Sequence, residues 1–353
     1  MTEKIHAVVL GATGYVGGEL LRLLSNHPAF SVAAAVSESR AGKPIAATFG
    51  HLAPHYNAQT FTSHGDWLDM LEAGSNLALF SAAPHGTSAP MIEIVLAAAA
   101  GKNLVVHVVD SSADFRYASQ ADYKSVYATE HGAPELLGEF SCGVPEHIDT
   151  PATAHIGHPG CFATAVLLAT VPLLRSGLTA NEIFATGTTG STGSGRTPQP
   201  GTHHPERHSN LYAYKPLAHR HAPEVAALCE AAGGRATTVN FIPHSGPFAR
   251  GIYATVQAKA NEAVSPDELR QVFADAYADA PFVRVVDGTP RLKNVVASNY
   301  CEIGVATSAD TVVITSAIDN LVKGAAGGAV QWMNRLWELP ETTGLTAAAP
   351  GWI

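Results

Sequence analysis

Residues 6–17 read HAVVLGATGYVG, a short apolar run followed by three glycines in the spacing G-x-x-G-x-x-G. The run is typical of a buried parallel strand, and the residues after Gly17 have helical character. A strand, a glycine turn and a helix in this order are the context of a dinucleotide fingerprint, although the usual spacing is G-x-G-x-x-G. A tight turn without a ligand is the alternative. We predict a turn that binds a pyrophosphate. The predicted cofactor residues are Gly11, Thr13, Gly14, Tyr15, Val16 and Gly17.

The choice of nucleotide depends on the residues after the second predicted strand, Phe30–Val36. A residue about twenty positions past the glycines contacts the adenosine ribose, and an acidic side chain there favours NAD. Here that position is Ser37, with Ser39 and Arg40 close by, which suits a 2′-phosphate. Glu38 is a complication, because it could turn toward the ribose. We predict NADP as the cofactor, bound through Ser37, Ser39 and Arg40.

Apolar runs alternate with a helical pattern in the first part of the chain, with strands predicted at Leu77–Ser81 and Leu104–Val109. This alternation predicts an α/β fold whose first domain is a Rossmann-type parallel sheet. Runs farther along predict a second, α+β domain with a mostly antiparallel sheet. They are residues 183–187, 239–244, 250–258, 282–286 and 311–316. We predict a dinucleotide-binding domain from residues 1–160 and 325–353, and a catalytic or dimerisation domain from residues 161–324.

Two loops of the first domain follow predicted strands and carry candidate site residues. Pro84 lies in a small-residue loop after one strand, where such loops line a cofactor. Arg116 follows another strand and is a candidate to clamp an anionic substrate group. An ion pair with Asp110 or Asp114 is the alternative for this arginine.

The sequence His158-Pro159-Gly160-Cys161 precedes a run of small and apolar residues that predicts a helix. A thiol at a helix N-terminus meets free backbone N–H groups and the positive end of the helix dipole. Both stabilise the thiolate and lower the thiol pKa. A buried structural cysteine is the alternative. With the His-Pro-Gly sequence before it, we predict that Cys161 is a nucleophile.

A polar stretch between residues 187 and 224 carries further candidates. Arg196 stands in a Gly-, Ser- and Thr-rich segment that favours a phosphate or carboxylate nest over a flexible linker. His219 and His221 precede a helix that Pro223 is suited to begin, and a loop histidine is a plausible general acid or base. Glu224 could orient it. Residues 203–208 contain three histidines, but their spacing does not favour a metal site, and we predict none.

Composition limits the partners and the compartment. The formal net charge of −9 and the pI near 6.0, without a Lys/Arg run, argue against nucleic acid. No apolar run reaches the length of a membrane span, and the N-terminus lacks the pattern of a secretion signal. The four cysteines match no zinc or disulfide pattern. We expect a cytoplasmic protein with a small-molecule substrate and no membrane partner.

Several of these motifs together resemble the N-acetyl-γ-glutamyl-phosphate reductase family, within the wider aspartate-semialdehyde dehydrogenase-like group. The most specific strings are HPGCFATA at residues 158–165 and HRHAPE at residues 219–224. The resemblance implies an acyl-phosphate substrate, arginine biosynthesis and a homo-oligomer, dimer or tetramer. It implies that Cys161 is the nucleophile and that the catalytic histidine is His219, with His221 as the alternative. It adds Ser191, Gly193 and Asn320 to the cofactor residues, and Arg116, Arg196, His221 and Glu224 as substrate residues.

The implied mechanism starts with attack of the Cys161 thiolate on an acyl phosphate, which leaves a thioester. Hydride from NADPH then gives a thiohemiacetal oxyanion, and protonated His219 donates the proton. The main alternative is another semialdehyde dehydrogenase, such as an aspartate-semialdehyde dehydrogenase. A nucleotide-sensing regulator is a further alternative, and it would be expected to lack the thiol and the histidine cluster.

Overall fold

The computed structural model describes residues 5–352. The strands are β1 (Ile5–Leu10), β2 (Phe30–Val36), β3 (Asn76–Ser81), β4 (Val105–Asp110), β5 (Phe140–Cys142), β6 (His155–Gly157), β7 (Thr179–Thr189), β8 (Tyr212–Ala213), β9 (Thr238–Ser245), β10 (Ile252–Ala260), β11 (Val283–Val285), β12 (Cys301–Ser308) and β13 (Thr311–Ile318). The α-helices are α1 (Tyr15–Leu24), α2 (Ile45–Thr48), α3 (Ala53–Tyr56), α4 (Ser88–Gly101), α5 (Gln120–Tyr127), α6 (Cys161–Ser176), α7 (His204–Arg207), α8 (His221–Gly233), α9 (Pro266–Ala276) and α10 (Gly327–Leu336).

The chain divides into two compact units. The first runs through Cys142 and also includes Thr150–His158 and Ala326–Thr346. The second consists of Gly143–Asp149, Pro159–Ala325 and the tail from Ala347. Each unit therefore takes its residues from more than one stretch of the chain. No helix within residues 5–352 is both long enough and apolar enough to cross a membrane.

The first unit is built on a six-stranded sheet in the order β2-β1-β3-β4-β6-β5, with every neighbouring pair parallel. Both faces are buried, which is why the strands are almost continuously apolar. Val8 and Leu79 pack with Ile92 of α4 in one core cluster. Val9 and Phe80, of the opposite parity, are equally buried. Helices α1 and α10 contact each other and the strands. This is the predicted α/β unit.

The second unit is built on a seven-stranded sheet in the order β11-β12-β13-β10-β7-β9-β8. Its neighbouring pairs are antiparallel except β11 with β12 and β7 with β9, which are parallel. Helices α6, α8 and α9 pack against the sheet, and α6 contacts both other helices. The predicted mostly antiparallel α+β arrangement is confirmed, with a mixed sheet as its detailed form.

Several elements were not predicted from the sequence, and β12 and α5 are two of them. Cys301–Ser308 forms β12 although it contains Gly304 and several small polar residues, because it pairs along its length with β13. A Cβ on Gly304 would lie 2.2 Å from the Gly288 carbonyl oxygen, so close packing requires the glycine. Helix α5 begins after Ser119, whose side chain caps its start by accepting a hydrogen bond from the Asp122 N–H.

Candidate active site

Cys161 is the first residue of α6, and the peptide before it is held on both sides. The Gly160 N–H donates to Oε1 of Glu224 at 2.6 Å. The Gly160 carbonyl accepts from the Thr164 N–H at 2.8 Å and from the Thr164 hydroxyl at 3.1 Å. Cys161 is partly exposed. The thiol therefore stands at a fixed helix N-terminus, where the positive end of the helix dipole favours the thiolate.

The other cysteines of the second unit differ in kind. Burial raises the thiol pKa of Cys229 and of Cys301 to about 12 in each case. Both are fully buried, so neither is suited to react as a thiolate near neutral pH. Of the three thiols in this unit, Cys161 is therefore the one whose environment favours reaction as a thiolate near neutral pH.

A short π-helix, Val322–Ala326, packs directly against the thiol-bearing residue. A Cβ on Gly324 would lie 2.7 Å from Cys161 Cβ and 3.0 Å from its Cα, so only a glycine fits. π-Helical segments are rare and often occur at functional sites. Here the segment fixes one wall beside Cys161.

Phe162 brings the histidines to the neighbourhood of Cys161. Its ring makes edge contacts with His219 at 5.9 Å and with His221 at 6.1 Å between centroids. A Cβ on Gly187 of β7 would lie 2.5 Å from the Phe162 ring, so the glycine makes room for the ring. The residue after Cys161 thus contacts both candidate histidines.

The two histidines have different environments. The His221 N–H donates to Nδ1 of His219 at 3.2 Å, so the neutral His219 ring carries its proton on Nε2. Burial, with smaller effects from Arg220 and Lys215, lowers the pKa of His219 to about 4. At neutral pH the His219 ring is therefore a neutral Nε2–H donor, which differs from the protonated ring expected from the resemblance.

Glu224, which was expected to orient one of the two histidines, lies beside His221. Its Oε2 is 3.9 Å from Nε2 of His221. The reason is helical geometry: His221 begins α8, so Glu224 is three residues on and shares its face. Because Glu224 is fully buried and also accepts from Gly160, it links α8 to the residue before Cys161.

A polar cavity of about 490 Å³ lies beside His219. Its lining includes Gly190, Gly193, Tyr214, Lys215, His219 and Arg220. Lys215 and Arg220 are exposed cations, and the ring of Tyr214 contacts that of His219 at 5.5 Å. The cavity can therefore admit an anionic small molecule next to the histidine.

The loop with the predicted cofactor residues Ser191 and Gly193 is hydrogen-bonded to the segment just before β10. The Ser191 N–H donates to the Phe248 carbonyl at 2.9 Å, and Gly193 lines the polar cavity. A Cβ on Gly190 would lie 2.4 Å from the Ala249 carbonyl oxygen. Arg196, farther along the same loop, is exposed.

Asn320 is attached to this loop as well. Its Nδ2 donates to the Thr192 hydroxyl at 3.0 Å, and its Oδ1 accepts from the Gly251 N–H at 2.7 Å. The preceding residue, Asp319, accepts two hydrogen bonds from Arg250, at 3.0 and 3.1 Å. Within the second unit, Ser191, Gly193 and Asn320 thus belong to one hydrogen-bonded assembly.

The glycine turn of the first unit follows β1, which lies between β2 and β3 in the sheet. The chain continues to β2 on one side of β1 and later to β3 on the other side, so the turn lies next to the topological switch point. Gly11 has a φ of +67°, and a Cβ there would lie 2.5 Å from the Ala82 carbonyl oxygen. A Cβ on Gly17 would lie 2.7 Å from the Ala12 backbone. Gly14 is the N-cap of α1. The turn brings backbone N–H groups to a helix N-terminus, the geometry that binds phosphate.

Ser37 and its neighbours follow β2 and face the same turn. Thr13 Oγ1 and Ser37 Oγ are 3.3 Å apart, and Ser37 Oγ and Ser39 Oγ are 3.5 Å apart. Arg40 is exposed. Oε2 of Glu38 accepts from the His64 N–H at 3.2 Å, so this carboxylate is engaged away from the serine pair.

The loops after β3 and β4 surround the buried carboxylates of Asp110 and Asp114. Asp114 accepts from the Gly86 and Ala89 N–H groups at 2.7 and 3.0 Å, and so holds the start of α4. Pro84 is exposed in the same loop. Arg116 donates from Nε to the His158 carbonyl at 3.0 Å and from Nη2 to the Ser111 carbonyl at 3.3 Å. Arg116 therefore fixes backbone within the first unit.

Tyr214, Lys215 and Arg207 were not among the predicted site residues. The first two line the polar cavity, and Arg207 is buried at the end of α7. All three lie between the Gly-rich loop and His219, in a stretch that shows no clear hydrophobic period. The sequence does place an arginine and a tyrosine close to the histidine pair. Their spacing alone, however, does not distinguish such residues from ordinary surface residues.

Both units match models of known families. Residues 6–149 match the NAD binding domain of semialdehyde dehydrogenases, and residues 161–320 match the semialdehyde dehydrogenase dimerisation domain. A dinucleotide-type turn in one unit and a thiol at a helix N-terminus in the other agree with this class. By fold and by these two domain matches, the molecule belongs to the semialdehyde dehydrogenase class.

Relatives narrow the class. A protein of Methanopyrus kandleri named N-acetyl-gamma-glutamyl-phosphate reductase is 39% identical over 344 residues, covering 96% of each chain. One of the same name from Symbiobacterium thermophilum is 38% identical over 354 residues, covering 98% of this chain and 99% of the relative. The chain belongs to the N-acetyl-γ-glutamyl-phosphate reductase family.

Solved structures of similar fold are more distant in sequence. Aspartate semialdehyde dehydrogenase II of Vibrio cholerae, complexed with ASA, has a TM-score of 0.70 at 16% identity, covering 96% of this chain and 99% of that chain. Aspartate semialdehyde dehydrogenase of Candida albicans, with NADP, has a TM-score of 0.66 at 16% identity, covering 95% and 99%. These likenesses support the fold.

Proposed function

We propose that the chain catalyses the NADPH-dependent reduction of N-acetyl-L-glutamyl 5-phosphate to N-acetyl-L-glutamate 5-semialdehyde and phosphate, a step of arginine biosynthesis. The observation that carries the proposal is the Cys161 thiol at the start of α6, with His219 packed on the adjacent Phe162 ring. Relatives named for this activity match nearly the whole chain.

In the first step, the Cys161 thiolate attacks the acyl-phosphate carbonyl. A carbon–sulfur bond forms, the bond from that carbon to the phosphate oxygen breaks, and phosphate leaves with the electron pair. The helix N-terminus stabilises the thiolate before attack. Because the Gly160 peptide is clamped by Glu224 and Thr164, the sulfur is held in place for attack.

In the second step, bound NADPH supplies a hydride to the thioester carbon. The negative charge that develops on the oxygen attached to that carbon needs a donor, and His219 offers its Nε2–H. A neutral donor in a partly buried site stabilises an oxyanion without itself transferring a proton. Collapse of the thiohemiacetal releases the aldehyde and returns the Cys161 thiolate. We assign this donor role to His219, in place of the protonated acid first expected.

The first unit fits a dinucleotide, because the turn after β1 leads to the N-terminus of α1, where Gly14 is the N-cap and backbone N–H groups can receive a phosphate. We assign the pyrophosphate to the turn from Gly11 to Gly17. We favour NADP over NAD because Ser37, Ser39 and Arg40 offer hydroxyl groups and a cation to a 2′-phosphate, whereas Glu38 is engaged with the His64 N–H. Pro84, Ser191, Gly193 and Asn320 remain proposed cofactor contacts.

The substrate contacts are proposed from charge and position. Lys215 and Arg220 line the polar cavity and suit the phosphate that enters or leaves in each turnover. Arg196 remains a candidate on the exposed loop. His221 and Glu224 act by positioning Cys161, since Glu224 bonds the Gly160 peptide. For Arg116, whose guanidinium holds two carbonyls, direct substrate contact remains a prediction.

We also propose a cytoplasmic homo-oligomer, dimer or tetramer. The second unit matches a domain named for dimerisation, and none of the four cysteines, all within residues 5–352, forms a disulfide, as a reducing compartment favours. Light scattering on the purified protein at several concentrations tests the assembly, and a monomer at micromolar concentration would contradict it.

The reverse reaction tests the function. Purified protein is incubated with N-acetylglutamate semialdehyde, phosphate and NADP⁺, and the appearance of NADPH is followed by absorbance. Aspartate semialdehyde serves as the comparison substrate. We expect phosphate-dependent turnover with the acetylated substrate at least tenfold faster. Equal or faster turnover of aspartate semialdehyde would contradict the proposal and support the alternative dehydrogenase.

A further inference from the structure

A buried ion pair involves the π-helix that borders Cys161. The Lys323 ammonium donates to Oε1 of Glu146, and the two side chains are 0% and 1% exposed. Lys323 also lies over the Phe282 ring, with Nζ 5.7 Å from the ring centroid. All of these residues belong to the second unit. Two full charges are therefore held out of water, and one of them is carried by the residue next to Gly324, which packs on the thiol residue.

The stability of the fold does not account for such a pair. Removal of an ammonium and a carboxylate from water is unfavourable, and their mutual attraction roughly offsets this. Well-packed apolar side chains of similar volume often stabilise a fold equally well or better. A charge-assisted hydrogen bond, however, fixes the positions of two particular atoms, whereas apolar contact is non-directional. A buried ion pair is therefore suited to hold one segment in a defined place.

The Lys323 end of the pair fixes the backbone that contacts the thiol residue. Lys323 precedes Gly324, and a Cβ on that glycine would lie 2.7 Å from Cys161 Cβ. The same turn is held by Asp319, which accepts from the Val322 N–H at 2.8 Å and from the Gly324 N–H at 3.0 Å. The lysine side chain and these backbone hydrogen bonds together hold Gly324 in place.

The Glu146 end of the pair is attached to α6, the helix that carries the thiol. The Tyr277 hydroxyl donates to the Leu168 carbonyl of α6 at 2.7 Å. Its oxygen therefore accepts from Nε2–H of His147, the residue after Glu146, at 3.0 Å. Arg175 of α6 donates from Nη2 to the His147 carbonyl at 3.2 Å. Glu146 thus stands on a segment that α6 itself holds.

The contacts form a closed circuit that leaves α6 at the segment of Glu146 and returns to its first residue through Gly324. We propose that Glu146 and Lys323 are positioning residues, whose ion pair fixes Gly324 against Cys161 and so keeps water from the thioester. This inference rests on the proposed function. Without the pair, water attacks the thioester carbon and the carbon–sulfur bond breaks. N-Acetylglutamate and the thiol are then formed without hydride transfer.

A double substitution separates positioning from stability. Glu146→Leu and Lys323→Met each leave one buried charge unpaired, so each should lower the melting temperature by about 3 °C or more. The double variant carries neither charge and should melt within about 2 °C of the wild type or above it. Lys259→Met, which removes an exposed pair with Asp310, is the matched control. A double variant as unstable as the single variants would contradict the proposal, because the fold itself would then require the pair.

Activity of the double variant decides the role of the pair. Despite its restored stability, kcat for N-acetylglutamyl phosphate should fall roughly tenfold or more, while KM stays within about threefold. Phosphate release should exceed NADPH oxidation by about twofold or more, after subtraction of the release seen with Cys161→Ser, whereas the wild type should show equal amounts. Recovery of kcat and of this ratio together with the melting temperature would indicate a structural role and overturn the proposal.

Glu146→Gln is a milder variant that keeps an acceptor for the Lys323 ammonium. Its hydrogen bond lacks the carboxylate charge and is weaker, so the ratio of phosphate release to NADPH oxidation should lie between those of the wild type and the double variant. A ratio equal to that of the wild type would rule out the proposed role.

A probe that needs no substrate separates this inference from the proposed function. Iodoacetamide should alkylate Cys161 of the double variant at least about threefold faster than that of the wild type, because the loosened wall exposes the sulfur. The rate is followed by peptide mass spectrometry, and equal rates would overturn the proposal. If alkylation responds as expected but the wild type does not reduce the acyl phosphate, the proposed function fails while the positioning by Glu146 and Lys323 stands.

Discussion

The glycine turn and the thiol site are constructed in different ways. The turn takes its shape from one continuous stretch, residues 11–17, whose glycines are required by contacts with nearby backbone. The thiol site combines Gly160 and Cys161 with Glu224 of another helix and Gly324 of a π-helix, which are distant in sequence. A local pattern therefore specifies the first, whereas the second depends on the packing of the whole unit.

This difference predicts where substitutions act. Changes at the thiol site should lower kcat and leave nucleotide binding nearly intact. Changes at the turn and after β2 should act on nucleotide affinity and on stability, and leave kcat at saturating NADPH almost unchanged. A substitution at one site that produced the effect expected of the other site would contradict this separation.

The largest expected effect is that of Cys161→Ser. A serine hydroxyl stays protonated where the thiolate would form, so kcat should fall by several powers of ten, about 10⁴ or more. The Kd for NADPH should stay within about twofold, measured by fluorescence titration. Cys142→Ser, at another partly exposed cysteine, should retain most activity. Retention of more than a tenth of kcat in Cys161→Ser would rule out covalent catalysis.

The two histidines should differ in the next largest effect. His219→Asn keeps an acceptor for the His221 N–H but removes the Nε2–H donor, so kcat should fall by roughly 10²–10³. His219→Gln places an amide nearer to the Nε2 position and should recover part of the loss. His221→Asn should act mainly on KM or hardly at all. If His221→Asn carries the large kcat loss, the roles of the two residues are exchanged.

The pH profile sharpens the assignment of His219. Because its pKa in the folded protein is about 4, below the ordinary 6.5, the ring is neutral at and above pH 6. Protonation as the pH falls toward 4 would turn Nδ1 into a donor facing the His221 N–H, so activity should fall on that limb. Rapid assays after a pH jump should find the limb in the wild type and not in His219→Asn. A wild-type limb near pH 6.5 that disappears in His219→Asn would contradict the neutral donor.

The same shift affects stability. A histidine that is neutral in the fold and titrates at 6.5 when unfolded contributes stability that is full above pH 6.5 and is lost as the pH falls toward the folded value. His219 and His155, both with a pKa of about 4, and His147, with one of about 3, act in the same direction. The free energy of unfolding, from urea titrations, should therefore fall steadily between pH 6.5 and 4. A constant free energy of unfolding between pH 6.5 and 4 would contradict the burial of these three histidines.

Arg40→Ala should act on the nucleotide alone. If the guanidinium contacts a 2′-phosphate, the Kd for NADPH should rise roughly tenfold or more, while that for NADH stays nearly unchanged. Lys43→Ala, a nearby exposed cation, is the control. An equal rise for both cofactors would remove Arg40 from the phosphate site.

The smallest expected effect is that of Gly17→Ala. The added Cβ would meet the Ala12 backbone at 2.7 Å, so the turn must shift, at a cost of about 1–3 kcal/mol in the free energy of unfolding. The Kd for NADPH should rise in parallel. Gly50→Ala is the matched control, because nothing lies within 4 Å of its Cβ position. Equal melting temperatures for Gly17→Ala and Gly50→Ala would contradict the described turn.

Features that depend on a local sequence pattern could be predicted from the sequence, whereas features that depend on packing between distant segments could not. The strands around the turn and a helix that begins at Cys161 were predicted, because apolar runs and glycines are local signals. Strand β12 was missed because it depends on pairing with β13. The contact of Glu224 with His221, the neutral state of His219 and the burial of Arg207 were also missed, since each is set by packing between distant segments.

The most direct test of the central claim is to trap the acyl group on the enzyme. The protein is mixed with freshly prepared N-acetylglutamyl phosphate without NADPH, quenched in acid and examined by intact-mass and peptide mass spectrometry. We predict one N-acetylglutamyl group per chain, on the peptide that contains Cys161, removed by hydroxylamine or by added NADPH, and absent from Cys161→Ser. An unmodified Cys161 in a preparation that reduces the acyl phosphate, or an acyl group on another residue, would contradict the account.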